Sequence, residues 1–205
     1  MLIDKIPEKV LVFDTETTGL LNFKKPNSHA SQPVVIQLGA TLFHRQEDRT
    51  YKRVGALYTL LEDQGVQIGL KAHEVHGITA KMCASYGMSP DNALWSFLDM
   101  CFVADMVVAH NLSFDIRTVL CTAARAGCGF TENDLFPKEK QFCTMLKSTN
   151  IVKAAKANGG IKWPSLEECT QFFFNESLGD DAHDADVDVD GCARVFFELL
   201  RRMEA

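Results

Sequence analysis

The sequence predicts an α/β or α+β fold built on one mixed β-sheet, and three observations carry that prediction. A continuous apolar run, Val10 to Phe13, ends in a polar motif and Gly19, as a buried central strand does. Two strand-like segments, Pro33 to Phe43 and Tyr51 to Leu60, follow it and read as a hairpin joined through the polar turn His44–Arg49. Beyond Ser89, helical periodicities alternate with another short apolar strand, so strands come first as a meander and then alternate with helices.

The later elements are justified one by one. Ser89-Pro90-Asp91 is a helix start, with Ser89 as the cap and Pro90 in the first turn. Ala93, Leu94, Phe97, Leu98, Cys101 and Phe102 then recur at helical spacing. Met106 to Ala109 is a short buried strand leading into His110-Asn111-Leu112-Ser113-Phe114-Asp115. Ile116, Val119, Leu120 and Ala123 form the apolar stripe of the next helix, which stops near Gly127. Ser165 with Glu168 is a capping-box pair ahead of Cys169, Phe172 and Phe173. The last helix carries Val189, Cys192, Phe196, Leu199 and Met203. Asn22 to Pro33 reads as a surface loop and Asn158-Gly159-Gly160 as a second one, both expected to be mobile. No repeat or low-complexity tract divides the chain, so residues 1–205 are expected to form one domain.

Composition narrows the function. At 46% apolar and 23% charged, the 205 residues are those of a folded protein rather than a disordered one. Apolar runs are too short to cross a membrane, and Asp4 and Glu8 interrupt any secretion leader, so no membrane partner is expected. Seven cysteines, without a CxxC pair, read as thiols of a reducing compartment, and the expected location is cytoplasmic, with the nucleus as the other reducing site. The net charge is −6, yet six aspartates stand between Asp180 and Asp190 with no basic residue among them. Without those six the chain balances to zero. A long electrostatic footprint on duplex DNA is disfavoured, whereas a carboxylate site for a divalent cation is not.

Three acidic constellations are candidates for that site. In Asp14-Thr15-Glu16-Thr17-Thr18-Gly19, Asp14 and Glu16 are two apart on a strand and share a face. Paired carboxylates repel unless a cation lies between them, although a solvated strand end would look the same. In the segment from His110, Asp115 lies just beyond a strand end, where open α/β sheets place their sites. The alternative is that Asn111 or Ser113 caps the helix and Asp115 complements its positive end. The third constellation runs from His183 to Asp190. An EF-hand reading fails: counted from Asp186 the twelfth position is Phe197, and counted from Asp184 Val189 replaces the required glycine. His183 and Asp188 are five apart, about 140° around a helix. If both serve one site, His183 lies on the loop before the helix, where a movable imidazole suits a proton shuttle.

Taken in order, DTETTG, HNLSFD and HDADVD resemble the three motifs of the DEDDh (DnaQ-like) 3′→5′ exonucleases, over nearly the whole chain from Val10 to Leu200. Ala72 to Thr79 looks like that superfamily's HGI segment, and Lys162 to Glu168 like a segment of its DnaQ-like members. The resemblance implies a ribonuclease H-like α/β fold, with a mixed five-stranded sheet flanked by helices. By position, Asp14, Glu16, Asp115 and Asp188 match the metal-binding acids, and His183 matches the general base. It further implies two Mg²⁺ or Mn²⁺ ions, with Asp14 bridging, Glu16 and Asp188 serving the ion nearer the attacking water, and Asp115 the other. Hard cations want such oxygen ligands, and the ions reverse the sign of an acidic site that must meet phosphate.

The same resemblance places Thr17 and Leu20 beside the terminal nucleotide as a wedge, and His76 and Asn111 near that nucleotide or its phosphate. Phe114 is the aromatic expected to stack on a base, and Lys24 and Lys25 of the Asn22–Pro33 segment are within reach of a phosphate backbone. The expected partner is the 3′ end of single-stranded DNA or RNA, since a free terminus must enter a tight pocket. Alternatives are a proofreading subunit acting with a DNA polymerase, an exoribonuclease of the same superfamily, a homodimer, or a degenerate binding module. The short stretch after the last helix argues against a long tethering segment for a polymerase.

Overall fold

A computed structural model describes residues 6–179 and 184–204. Three strands come first: β1 (Lys9–Thr17), β2 (Val35–Arg45) and β3 (Tyr51–Leu60). Helices α1 (Leu70–His76), α2 (Ala80–Tyr86) and α3 (Pro90–Val103) lead to β4 (Met106–Ala109) and α4 (Leu112–Ala126). Then come α5 (Glu132–Leu135), a 3₁₀ turn, β5 (Gln141–Cys143), α6 (Thr144–Val152), α7 (Leu166–Phe174) and α8 (Ala185–Glu204). The sheet order is β3-β2-β1-β4-β5. The β1–β2 and β2–β3 pairs are antiparallel, whereas β1–β4 and β4–β5 are parallel, so the sheet is mixed.

Helices cover both faces, and β1 shows how the sequence directs them. Its alternate residues Leu11 and Phe13 join the core made with α3 and α4, while Val10 and Val12 join the core made with α7 and α8. Phe13 lies between Phe97 and Phe136, with ring centroids 5.1 and 5.6 Å away. Truncating such a buried ring costs about 3–5 kcal/mol. Because side chains alternate along a strand, the same parity turns Asp14 and Glu16 towards α8 and Thr15 towards α4. Core packing of the strand thus aims the acids before any ligand arrives.

The predicted elements are present with several differences. The apolar run Val10–Phe13 is the centre of a longer strand: β1 runs on through Thr17 and includes Asp14 and Glu16, which the sequence placed at its end. Ser89 occupies the cap position of α3, but its side chain makes no cap hydrogen bond. Phe102 and Phe172 are exposed, at the margins of stripes whose other members are buried or, for Phe173, half-buried. α4 ends where predicted: Gly127 takes a left-handed φ of 76° and returns its N–H to Ala123 O. The Ser165–Glu168 capping box forms, with Glu168 N–H donating to Ser165 Oγ and Ser165 N–H to Glu168 Oε2.

The Asn22–Pro33 segment is a loop, as expected, but an anchored one. Gln32 is 1% exposed and its amide donates to the carbonyls of Asn22 and Lys25 while accepting Asn22 N–H. α1, α2, α6 and β5 were not foreseen: α1 has no buried residue, and β5 has three residues, too few to show a period. The seven cysteines are free thiols. Among the described residues, no helix is long and apolar enough to cross a membrane.

Candidate active site

Three acids from two distant segments of the sequence meet at one end of the sheet. Asp14, Glu16 and Asp188 each offer a carboxylate oxygen, and these oxygens all lie within 4.8 Å of one another. Asp14 and Glu16 come from β1, and Asp188 from the first turn of α8. Asp115 stands beside them on the first turn of α4, which follows β4 parallel to β1. It is 3% exposed and accepts the Thr15 hydroxyl at 2.8 Å. His183, the expected base, lies outside the described residues, as do Asp180 and Asp181.

Burial and like charge set the electrostatics of the cluster. Burial, and then the charges of Asp115, Asp188 and Glu16, hold the Asp14 carboxyl well above the usual carboxylate range. Glu16 is pushed up to about 8 by burial and then by Asp188, Asp115 and Asp184. Asp115 is pushed up to about 7 by burial, against the opposing Thr15 hydroxyl bond. Buried carboxylates this close repel one another, and a cation between them would relieve that repulsion. The donor set is entirely carboxylate oxygen, which suits a hard divalent cation rather than a thiolate-seeking one.

β2 holds the start of α8 over this cluster. Gly39 pairs with Asp14, and Gln37 with Glu16, so both project from the same face as the acids. A Cβ at Gly39 would lie 2.7 Å from Ala185 O and 2.9 Å from Ala185 Cβ; only glycine admits the helix this close. Gln37 Oε1 accepts Ala185 N–H at 3.2 Å, and its amide donates to Asp184 Oδ1 at 3.3 Å. Asp184 Oδ1 also accepts Asp186 N–H at 3.1 Å, which makes Asp184 the helix cap. One glutamine thus fixes the turn that delivers Asp188 without adding negative charge.

Next to the acids lies a cleft of about 750 Å³. Thr17, Leu20, His76 and Phe114 line it together with Thr15 and Glu16. Leu20 is 88% exposed, so it is a projecting wall rather than core. His76 Nδ1 accepts Ile78 N–H at 3.0 Å, which leaves the ring proton on Nε2, 3.2 Å from Thr17 O. Its ring therefore pins the backbone of the first motif to the loop after α1. Asn111 is not part of the lining; it occupies the N-cap position of α4 in a left-handed conformation, φ 69°, without a side-chain cap hydrogen bond. Thr18 is also turned away from ligand duty, because its hydroxyl accepts Val34 N–H and its own N–H bonds Val34 O. His110 is structural: Nε2 donates to Pro164 O, Nδ1 faces the Thr144 hydroxyl, and burial lowers its pKa.

This arrangement can be set beside known proteins. The RNase T exonuclease family model matches residues 11–196. The chain belongs to the RNase T exonuclease family. No curated protein matches it significantly. Among solved structures, E. coli exonuclease I in complex with a dA16 oligonucleotide has a TM-score of 0.69 at 16% identity, covering 96% of this chain and 42% of that one. The zinc-bound E. coli exonuclease I–single-stranded DNA complex gives 0.66 and 17%, covering 96% and 42%. A moderately thermophilic exonuclease I from Methylocaldum szegediense gives 0.64 and 18%, covering 95% and 41%. The chain spans about two fifths of the length of these proteins. The likeness establishes the fold, a ribonuclease H-like mixed five-stranded sheet flanked by helices.

Within this exonuclease family, Thr15, Gln37, Gly39 and the cleft residues Leu70, Lys71 and Val75 escaped sequence reasoning. The residue types of Gln37 and Gly39 carry no chemistry of their own. Their signal was the parity of β2, which becomes legible only once its register against β1 is known.

Proposed function

We propose that the chain is a metal-dependent 3′→5′ exonuclease that releases nucleoside 5′-monophosphates from single-stranded nucleic acid. The observation that carries this reading is the convergence of Asp14, Glu16 and Asp188 at the edge of the Leu20–Phe114 cleft. Asp14, Glu16, Asp115 and Asp188 would hold two Mg²⁺ or Mn²⁺ ions. Bound there, such ions supply Lewis acidity, lowering the pKa of water and stabilising a leaving 3′ oxygen.

The side chains do the rest. Leu20 and Phe114 take the terminal base between them, and their apolar surface keeps water from the face of the base. Thr15 and Gln37 orient Asp115 and the start of α8, so that the carboxylates meet in one geometry. His183, five residues before Asp188 in the sequence, would accept the proton of the attacking water near neutral pH. The water oxygen bonds to phosphorus as the P–O3′ bond breaks. A 5′-monophosphate leaves, and the strand keeps a new 3′-hydroxyl.

DNA is the favoured substrate, because solved structures that share the fold include complexes with dA16 and dT13. The test uses 5′-labelled single-stranded DNA and RNA incubated with Mg²⁺, Mn²⁺ or EDTA. A ladder shortening from the 3′ end, faster on DNA and absent in EDTA, is expected. Asp14→Ala should abolish it, whereas undiminished digestion by that variant defeats the reading.

A further inference from the structure

The acidic site leaves one neighbouring surface unexplained. From Thr17 to Gln46 the sequence contains no aspartate or glutamate, although the whole chain carries −6. Within that stretch the Asn22–Pro33 loop is strapped onto α4. Arg117 reaches Lys25 O at 2.5 Å, and Arg125 reaches Ala30 O at 2.9 Å. Lys25 Nζ donates to the Ser31 hydroxyl at 2.9 Å. All three of these bonds go to neutral acceptors, which leave the positive charges in place. Lys24 projects from the same loop, and Phe23 beside it is 60% exposed. Among the described residues, none of Lys24, Lys25, Arg117 and Arg125 forms an ion pair.

This surface continues the cleft wall. Leu20 lies two residues before Asn22, and Phe114 is one helical turn before Arg117; both line the cleft. Four cations held on one rigid loop and helix repel one another until an anion meets them. An exposed aromatic among cations is the combination that binds single strands, by stacking a base and tracking its phosphates. We propose that the Asn22–Pro33 loop and the outer side of α4 bind the strand upstream of the 3′-terminal nucleotide. An acidic protein segment would use the charges but has no need of Phe23 or of continuity with the cleft. This inference rests on the exonuclease reading for its ligand, but its test does not require turnover.

The test is fluorescence anisotropy with labelled dT2 and dT10 in EDTA, using wild type, Phe23→Ala and Lys24→Glu. Both side chains are exposed, so the variants should melt as wild type does. Wild type should bind dT10 more tightly than dT2, and Phe23→Ala should weaken dT10 binding about tenfold, the size of one lost base stack. Lys24→Glu should weaken dT10 and reduce the slope of log affinity against log salt by about 0.7, one phosphate contact. Binding of dT2 should change for neither variant. Equal loss on both lengths, or none on dT10, overturns the proposal. A polyglutamate peptide that binds as tightly as dT10, with the same dependence on Lys24, overturns it in favour of a protein partner. If length-dependent binding is present but no metal gives a 3′ ladder, strand binding by the Asn22–Pro33 loop and α4 stands and the exonuclease reading fails.

Discussion

Replacing Glu16 by glutamine removes one carboxylate from the cluster while keeping its shape. In the metal-free protein Glu16 is lifted from 4.5 to about 8, so between those values the folded state holds a proton that the unfolded state has released. Stability therefore falls as pH rises through this window, since the folded state binds more protons. At about 1.4 kcal/mol per pH unit, the rise sets a ceiling of about 5 kcal/mol. The neighbouring acids share that repulsion, so Glu16→Gln should recover about 2 kcal/mol of it. In a domain of this length that is about 4–8 °C in melting temperature. The assay is thermal unfolding in EDTA from pH 5 to pH 8.5, repeated with millimolar Mn²⁺. Wild type and variant should melt together near pH 5, and the variant should melt higher near pH 8. Mn²⁺ should raise wild type near pH 8 and have much less effect on the variant. A variant less stable than wild type at pH 8 in EDTA would refute the claim that the acids repel one another.

Other substitutions probe the supports. Gly39→Ala places a Cβ 2.7 Å from Ala185 O and should cost about 1–3 kcal/mol while raising the Mn²⁺ concentration needed for activity; unchanged melting contradicts the close approach. Gln37→Leu removes the bonds to Ala185 and Asp184, so Mn²⁺ affinity measured calorimetrically should weaken several-fold. Gln37→Glu should weaken it further, by placing a like charge against Asp184. Thr15→Val removes the hydroxyl that opposes the rise of Asp115 above its normal range. Because a ligand acid must ionise, the acidic limb of the activity profile should move to higher pH. Leu20→Ala, at a position 88% exposed, should raise KM for the oligonucleotide without changing the melting temperature.

Much of this site was legible before any coordinates. Two-residue periodicity put Asp14 and Glu16 on one face, and apolar runs located β1 and β4, whose carboxyl ends carry the first two motifs. Long amphipathic stripes revealed α3, α4 and α8 because each buries a continuous row against the sheet. What stayed hidden depends on contacts between distant segments. α1 buries none of its residues, so no apolar stripe marks it. Phe102 and Phe172 fit helical spacing yet face outward, because a stripe's edge is set by what packs on it. Gln32 looked like one more polar loop residue, whereas its amide is what closes the loop on itself. Asn111 takes a left-handed backbone at the cap position of α4, on the turn that delivers Asp115, and no periodicity marks such a turn.

Two-ion hydrolysis at this site requires β1, α4 and α8 to present their carboxylates to the same cations. Anomalous X-ray diffraction from crystals soaked in Mn²⁺ tests this most directly. The expected map has manganese peaks bonded to oxygens of Asp14, Glu16 and Asp188, with Asp115 contacting a second ion. Manganese bound elsewhere, or none at these oxygens in well-ordered crystals at neutral pH, would contradict it.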